Sequence, residues 1–114
     1  MDVSFRGIGD KLVTFVSNGA KKGQVVKVDG AGTVAPCEAD GVFDGVAVLV
    51  DGSYAGVRLR GFVDVAYSES GGAPVVGHNT LAADGNGGVK VAGSGKDCLT
   101  VAVDTVNHVV TILM

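Results

Sequence analysis

The chain has 114 residues, a formal net charge of −3 and a pI near 5.1, with 46% hydrophobic and 18% charged residues. Its length suits one domain with a modest core, its mean hydropathy of +0.39 excludes a disordered chain, and an acidic balance without a Lys/Arg stripe excludes nucleic acid as an expected partner. Glycine (19 residues) and valine are in excess and tryptophan is absent, a composition for strands joined by tight turns.

MDVSFRGIGDK at the N-terminus is broken by glycines and does not read as a signal peptide. The longest apolar run in the middle of the chain, residues 46–50, is far short of a membrane-spanning helix. No membrane partner is expected, and synthesis in the cytosol is. LVTFV (residues 12–16) is the first strand-like run, closed by SNGAKKG; QVVKV (24–28) follows, ended by DGAG, and then GTVAPC. VFDGVAVLV (42–50) is apolar on both faces, with Val42, Val46, Val48 and Val50 on one and Phe43, Ala47 and Leu49 on the other. Such a strand is covered on both sides, the second cover being the N-terminal segment or another subunit. Phe43 and Leu49 are therefore candidate interface residues.

DGS ends that strand as a hairpin signal, since Asp-Gly readily takes the positive φ angles of a type I′ turn. In YAGVRLRGFVDVAY, alternation places Val57, Leu59, Gly61, Val63, Val65 and Tyr67 on one face and Arg58, Arg60, Phe62, Asp64 and Ala66 on the other. Phe62 then lies outward among charges. A lone exposed apolar side chain needs no explanation, but an aromatic beside Arg58 and Arg60 is also a candidate anchor for a partner surface. SESGGAP breaks the chain, PVVGHNTLAAD leads to DGNGGVKVAGSGKD, and CLTVAVD with the last strand forms a hairpin around residues 104–107. The expected fold is all-β, a small Gly/Val-rich β-barrel or sandwich of about seven or eight short strands with little or no helix. Residues 12–114 read as a single β-domain without a linker or internal boundary, preceded by residues 1–11.

Two glycine-rich stretches invite a nucleotide reading, and both fail it. DGNGGVKVAGSGKD lacks the P-loop register: Lys96 is followed by Asp97, which repels phosphate, and alternating CLTVAVD follows where a helix is needed. GAGTVA (30–35) fits G-x-G-x-x-A, but Pro36 and Gly41 stand where the Rossmann helix would run. The glycine-rich stretch 84–97 instead reads as two turns flanking a short strand, with its lysines as solvent-facing edge charges.

His108 reads as a strand-face histidine and His78 as a polar loop residue. Ser68, Ser70, Ser94, Asp84 and Asp97 carry no nucleophile-elbow signature. Cys37 and Cys98, the only cysteines, read as reduced thiols, although a disulfide between them is geometrically open. No ligand spacing for a metal is present. No catalytic, cofactor-binding or metal-binding residue is assigned, and no enzyme activity is expected. A lipoyl- or biotinyl-type carrier would need a lysine in M-K-M or D-K-A, which does not occur, and a nucleic-acid-binding barrel would need more aromatics than Phe62.

The order of elements resembles the small head-decoration, or capsid cement, proteins of tailed bacteriophages. The resemblance covers residues 12–114 and is carried by Lys22-Gly23 in GAKKGQVVKVDGAGTVAPC, Gly45-Val46-Ala47 and residues 61–65 in VFDGVAVLVDGSYAGVRLRGFVDV, residues 77–89 in GHNTLAADGNGGVKVAG, and the closing hairpin CLTVAVD…HVVTILM. These are turns and alternations rather than chemically demanding residues. The resemblance implies a non-enzymatic β-domain, made in the host cytoplasm, that binds the major capsid protein on the capsid exterior and self-associates, with a trimer favoured. It also implies an N-terminal arm that attaches to the capsid, here with Val3, Phe5, Arg6 and Ile8 as contacts. The alternative expectation is a stand-alone β-barrel binding module or another virion structural protein.

Overall fold

A computed structural model describes residues 11–114; the arm contacts Val3, Phe5, Arg6 and Ile8 lie outside the described residues. Lys11, expected as the last residue before the β-domain, belongs to the first strand. The described chain is all-β, with ten strands and one 3₁₀ turn (Glu69–Gly71). β1 (Lys11–Ser17), β2 (Val25–Gly30), β3 (Thr33–Pro36), β4 (Gly45–Asp51) and β5 (Tyr54–Arg60) close into a barrel in the order β1-β3-β2-β4-β5. β6 (Phe62–Ser68), β7 (Gly77–Ala83), β8 (Val89–Val91), β9 (Lys96–Asp104) and β10 (Val109–Leu113) close into a second barrel, β10-β6-β8-β7-β9.

The second barrel repeats the first, strand for strand. Each has one parallel pair, β1 with β3 and β6 with β8, and each closes by pairing its last strand antiparallel to its first. The register matches around most of each barrel, with the β7–β9 ladder shifted two residues from that of β2–β4. Val28 faces Val34 in the β2–β3 hairpin, as Ala83 faces Val89 in β7–β8. In β4 the ladder to β5 skips Val48, pairing Ala47 with Val57 and then Leu49 with Gly56. In β9 it skips Val101, pairing Thr100 with Ile112 and then Ala102 with Thr111. A bulge adds a residue to one strand only and sharpens its bend, so the same skip at the same place bends both barrels alike. With these pairings as a guide, DGAGTV (29–34) lies on DGNGGV (84–89) and DGVAVLVD (44–51) on DCLTVAVD (97–104). The chain is an internal repeat, with halves 11–60 and 61–114.

The all-β fold of short strands expected from the sequence is what forms, with ten strands in two five-stranded barrels where about seven or eight in one barrel or sandwich are expected. The run YAGVRLRGFVDVAY, which alternates without a break, is two strands parted at Gly61, whose φ of 112° only glycine adopts freely. Parity survives the break. Val57 faces the first core, whereas Val63, Val65 and Tyr67 face the second.

The two cores differ in content. The first holds Ala20, Val26, Val34, Ala47, Ala55 and Val57. The second holds Val63, Val65, Tyr67, Leu81, Ala83, Val89, Cys98, Val110 and Ile112, and it also takes in Val25, Cys37, Phe43 and Val46 from the first half. Because successive side chains on a strand point to opposite sides, Val25 and Val46 reach the second core while their neighbours Val26 and Ala47 fill the first. The two-faced apolar pattern of VFDGVAVLV therefore has its second cover in the chain's own second half. Backbone bonds reinforce the seam: Asp40 N–H donates to the Ala83 carbonyl and Ala83 N–H to that of Gly41, both at 2.9 Å, and Val25 N–H donates to the Gly87 carbonyl at 2.9 Å.

Candidate interaction surface

The two stretches that imitate nucleotide loops occupy equivalent places in the repeat, the β2–β3 and β7–β8 hairpin turns. In the second, the Asp84 carboxylate accepts hydrogen bonds from the Asn86 N–H at 2.6 Å and the Gly88 N–H at 3.0 Å. The amides a phosphate would need are already held by an internal anion, and a second anion there would meet that charge. Gly88 is required by packing, since a Cβ at that position would stand 2.5 Å from the Ala66 carbonyl oxygen. The lysines of this stretch correct another expectation. β8 lies between β6 and β7 and is no edge strand, and Lys90 is largely buried and ion-paired with Asp40 of the other half.

Both histidines exchange their expected settings. His78 lies exposed on β7, 3.6 Å from the Asp97 carboxylate. His108 sits in the β9–β10 turn with φ 55°, 3.0 Å from Glu69 and with its ring 5.4 Å from that of Tyr67. The hairpin around residues 104–107 forms as expected. Asp104 accepts hydrogen bonds from the Asn107 side chain (2.9 Å) and from the Asn107 and Val106 amides, which hold its carboxyl below the usual range.

Cys37 and Cys98 are buried in the same core, both as free thiols. Desolvation raises both, and Cys98 is pushed up to about 11, the opposite of an activated nucleophile. Among the described residues no group of His, Cys, Asp and Glu is placed to hold a metal ion. An open groove of about 430 Å³ runs along the seam between Lys22–Gln24, Asp64–Ala66 and Asn86–Gly88. It is a surface trough and does not enclose a ligand as a binding pocket would.

The candidate interface residues separate. Phe43 is fully buried at the seam of the two halves, so it makes an interface within the chain and offers nothing to a partner. Phe62, expected to stand exposed, is half-buried at the start of β6, and its carbonyl accepts a 2.7 Å hydrogen bond from Arg58 Nη1. Arg58 is half-buried with it, whereas Arg60 is exposed and pairs across the strands with Lys11. Leu49 is exposed on the outside of β4.

Leu49 has company that the sequence reading did not single out. Leu12 and Val16 on β1 and Tyr54 on β5 are 55%, 45% and 58% exposed, against 60% for Leu49. Val16 lies directly opposite Tyr54. A Cβ built at Gly56 would be 3.5 Å from Leu49 Cβ and 3.9 Å from Leu12 Cδ1, so the two leucines converge over a bare glycine. These residues form one apolar surface on the outside of β1, β5 and β4.

The repeat supplies an internal comparison for it. Thr14, Val16, Leu49 and Gly56 correspond to Asp64, Ala66, Ala102 and Thr111 in the second half, and Leu12 and Tyr54 to Phe62 and Val109, which are half-buried. There the Thr111 hydroxyl donates to the Asp64 carboxylate. The same fold thus exposes large apolar side chains on the outer face of one copy, whereas the other is polar at the centre of that face and half-buries its apolar members. The chain matches no known family model and no curated protein.

Proposed function

We propose that this protein is a non-enzymatic head-decoration protein of a tailed bacteriophage, one that binds the outer surface of the capsid and stabilises the shell through contact area rather than chemistry. The single observation that favours a contact role is the apolar outer face of β1, β5 and β4. Contiguous exposed apolar surface marks interaction sites, whereas scattered single residues do not, and the counterpart face in the second half is polar at its centre. The resemblance of residues 12–114 to capsid cement proteins supplies the partner class. In this reading the major capsid protein is the partner, the protein is made in the host cytoplasm and ends on the virion exterior, and self-association multiplies weak contacts into firm attachment.

The capsid contacts of this reading are the arm residues Val3, Phe5, Arg6 and Ile8, together with Arg60, which is exposed at the end of β5. The test is co-sedimentation of the purified protein with expanded, DNA-free shells of the phage that encodes it. Full-length protein is expected in the pellet at saturable stoichiometry. Deleting residues 1–10 leaves β1 whole, so the circular-dichroism spectrum is expected to be unchanged while capsid affinity falls about tenfold or more. Full-length protein remaining in the supernatant would sink the decoration reading. Undiminished binding by the truncated chain would remove the arm from it.

A further inference from the structure

We infer that the outer face of β1, β5 and β4 is the site at which a second copy of this chain binds, as a two-fold symmetric pair. The inference builds on the contact role of this face and is independent of the capsid. Among the described residues both sheets close into barrels, so each strand has a neighbour on either side and little strand edge is left for a partner to extend. Association through the outer face of these strands brings two sheets face to face, with side chains interdigitating. The centre of the face suits that mode. Leu12 and Leu49 stand as ridges around Gly56, which offers no side chain of its own, and a leucine from a facing sheet fits into such a hollow.

Charge selects the occupant. Lys11 and Arg60 lie opposite each other, both exposed, at one end of the β1–β5 pair. Asp51 lies at the other end, opposite Tyr54 where β4 turns into β5. A two-fold axis across the strands sets the cationic end of one copy over the Asp51 end of the other, twice by symmetry, while the apolar centres meet. A two-fold interface requires a self-complementary surface, and a face cationic at one end, apolar in the middle and anionic at the other meets that requirement. A uniformly acidic partner would leave Asp51 against like charge, and a uniformly apolar one would bury the cations without partners. The pairing also differs from the trimer implied by the resemblance to decoration proteins.

The experiment is sedimentation equilibrium on the full-length protein across a wide micromolar range. A dimer that dissociates on dilution is expected. Leu49→Asp, at an exposed position, should keep the β-sheet circular-dichroism spectrum and raise the dimer dissociation constant about a hundredfold or more, because each interface would bury two unpaired carboxylates. Ala102→Asp, at the corresponding place in the second half, should leave the dimer intact. Asp51→Lys should weaken dimerisation, and adding Lys11→Glu and Arg60→Glu to the same chain should recover it. A monomer at all concentrations, a trimer, a Leu49→Asp protein that dimerises like the wild type, or an Ala102→Asp protein that dissociates as strongly as Leu49→Asp would each overturn the inference. Loss of capsid binding in the co-sedimentation test would not bear on it, since no capsid is present.

Discussion

The halves of this chain share strand order, most of their register and even the position of a bulge, yet they have divided the work of a small protein between them. The first half keeps a thin core of alanines and valines around Val26, Val34 and Val57 and sends Val25, Cys37, Phe43 and Val46 into its neighbour. The second half keeps the larger side chains, Leu81, Ile112 and Tyr67, and receives those four. Their first strands make the contrast concrete. Val63, Val65 and Tyr67 on β6 are buried, whereas the corresponding Val13, Phe15 and Ser17 on β1 are only half-buried, and Leu12 and Val16 face outward. A five-stranded unit of roughly fifty residues is marginal by itself because too little of its surface is buried. Duplication solves this when one copy packs into the other, and the copy that gives up core residues is left with outer surface available for partners.

The division can be broken most severely at its seam. Phe43 is fully buried between the halves, so Phe43→Ala is expected to cost about 3–5 kcal/mol and to destabilise both barrels together. Urea denaturation read by circular dichroism would show the loss, and two separated transitions in the wild-type protein would contradict one shared core. A smaller effect comes from equivalent positions in the first strands. Val63→Ala removes a buried side chain and should cost about 2 kcal/mol, whereas Val13→Ala, half-buried at the matching place, should cost roughly half as much. Equal losses would mean that the first barrel is packed as tightly as the second.

The mildest test is chemical. Burial raises the Cys98 thiol from its ordinary 9.0 to about 11, so the folded state disfavours the thiolate relative to the unfolded chain. The associated stability is fully present below pH 9 and is lost as pH rises towards 11. Thermal midpoints should therefore fall across that window, less so in Cys98→Ser. Thiol labelling at pH 8 should report only opening of the second core, and rapid labelling of both cysteines in the native protein would show that core to be open.

Much of this was legible from the residues alone, and the places where it was not share a cause. Alternation located β1, β2, β4 and the β9–β10 hairpin, because side-chain parity follows from backbone geometry and a buried face must be apolar. The stretch 84–97 is legible as two turns flanking a short strand, since Asp97 and the alternating run after it are incompatible with the helix that a phosphate loop opens. The break at Gly61 was missed because a positive φ interrupts a strand without disturbing the alternation around it. The repeat is hidden in the sequence because what the halves share is mostly turn residues and pairing register, while their side chains have diverged: Gly56 stands where Thr111 does, and Ala47 where Thr100 does. Phe43 was assigned to an external interface because a two-faced apolar strand reports that both sides are covered and not by what.

The sequence by itself determined that the chain is all-β, where most turns fall and which parity of each alternating strand faces inward, since these follow from local sterics and the burial of apolar side chains. Only the tertiary structure decided that there are two barrels, that the second half is the cover over β2 and β4, and that Leu12, Val16, Leu49 and Tyr54 lie together in the open. The physical reason is that β1 is apolar on both faces. Which face a small barrel encloses depends on strand pairings between residues some forty positions apart, and no window of neighbouring residues contains that information.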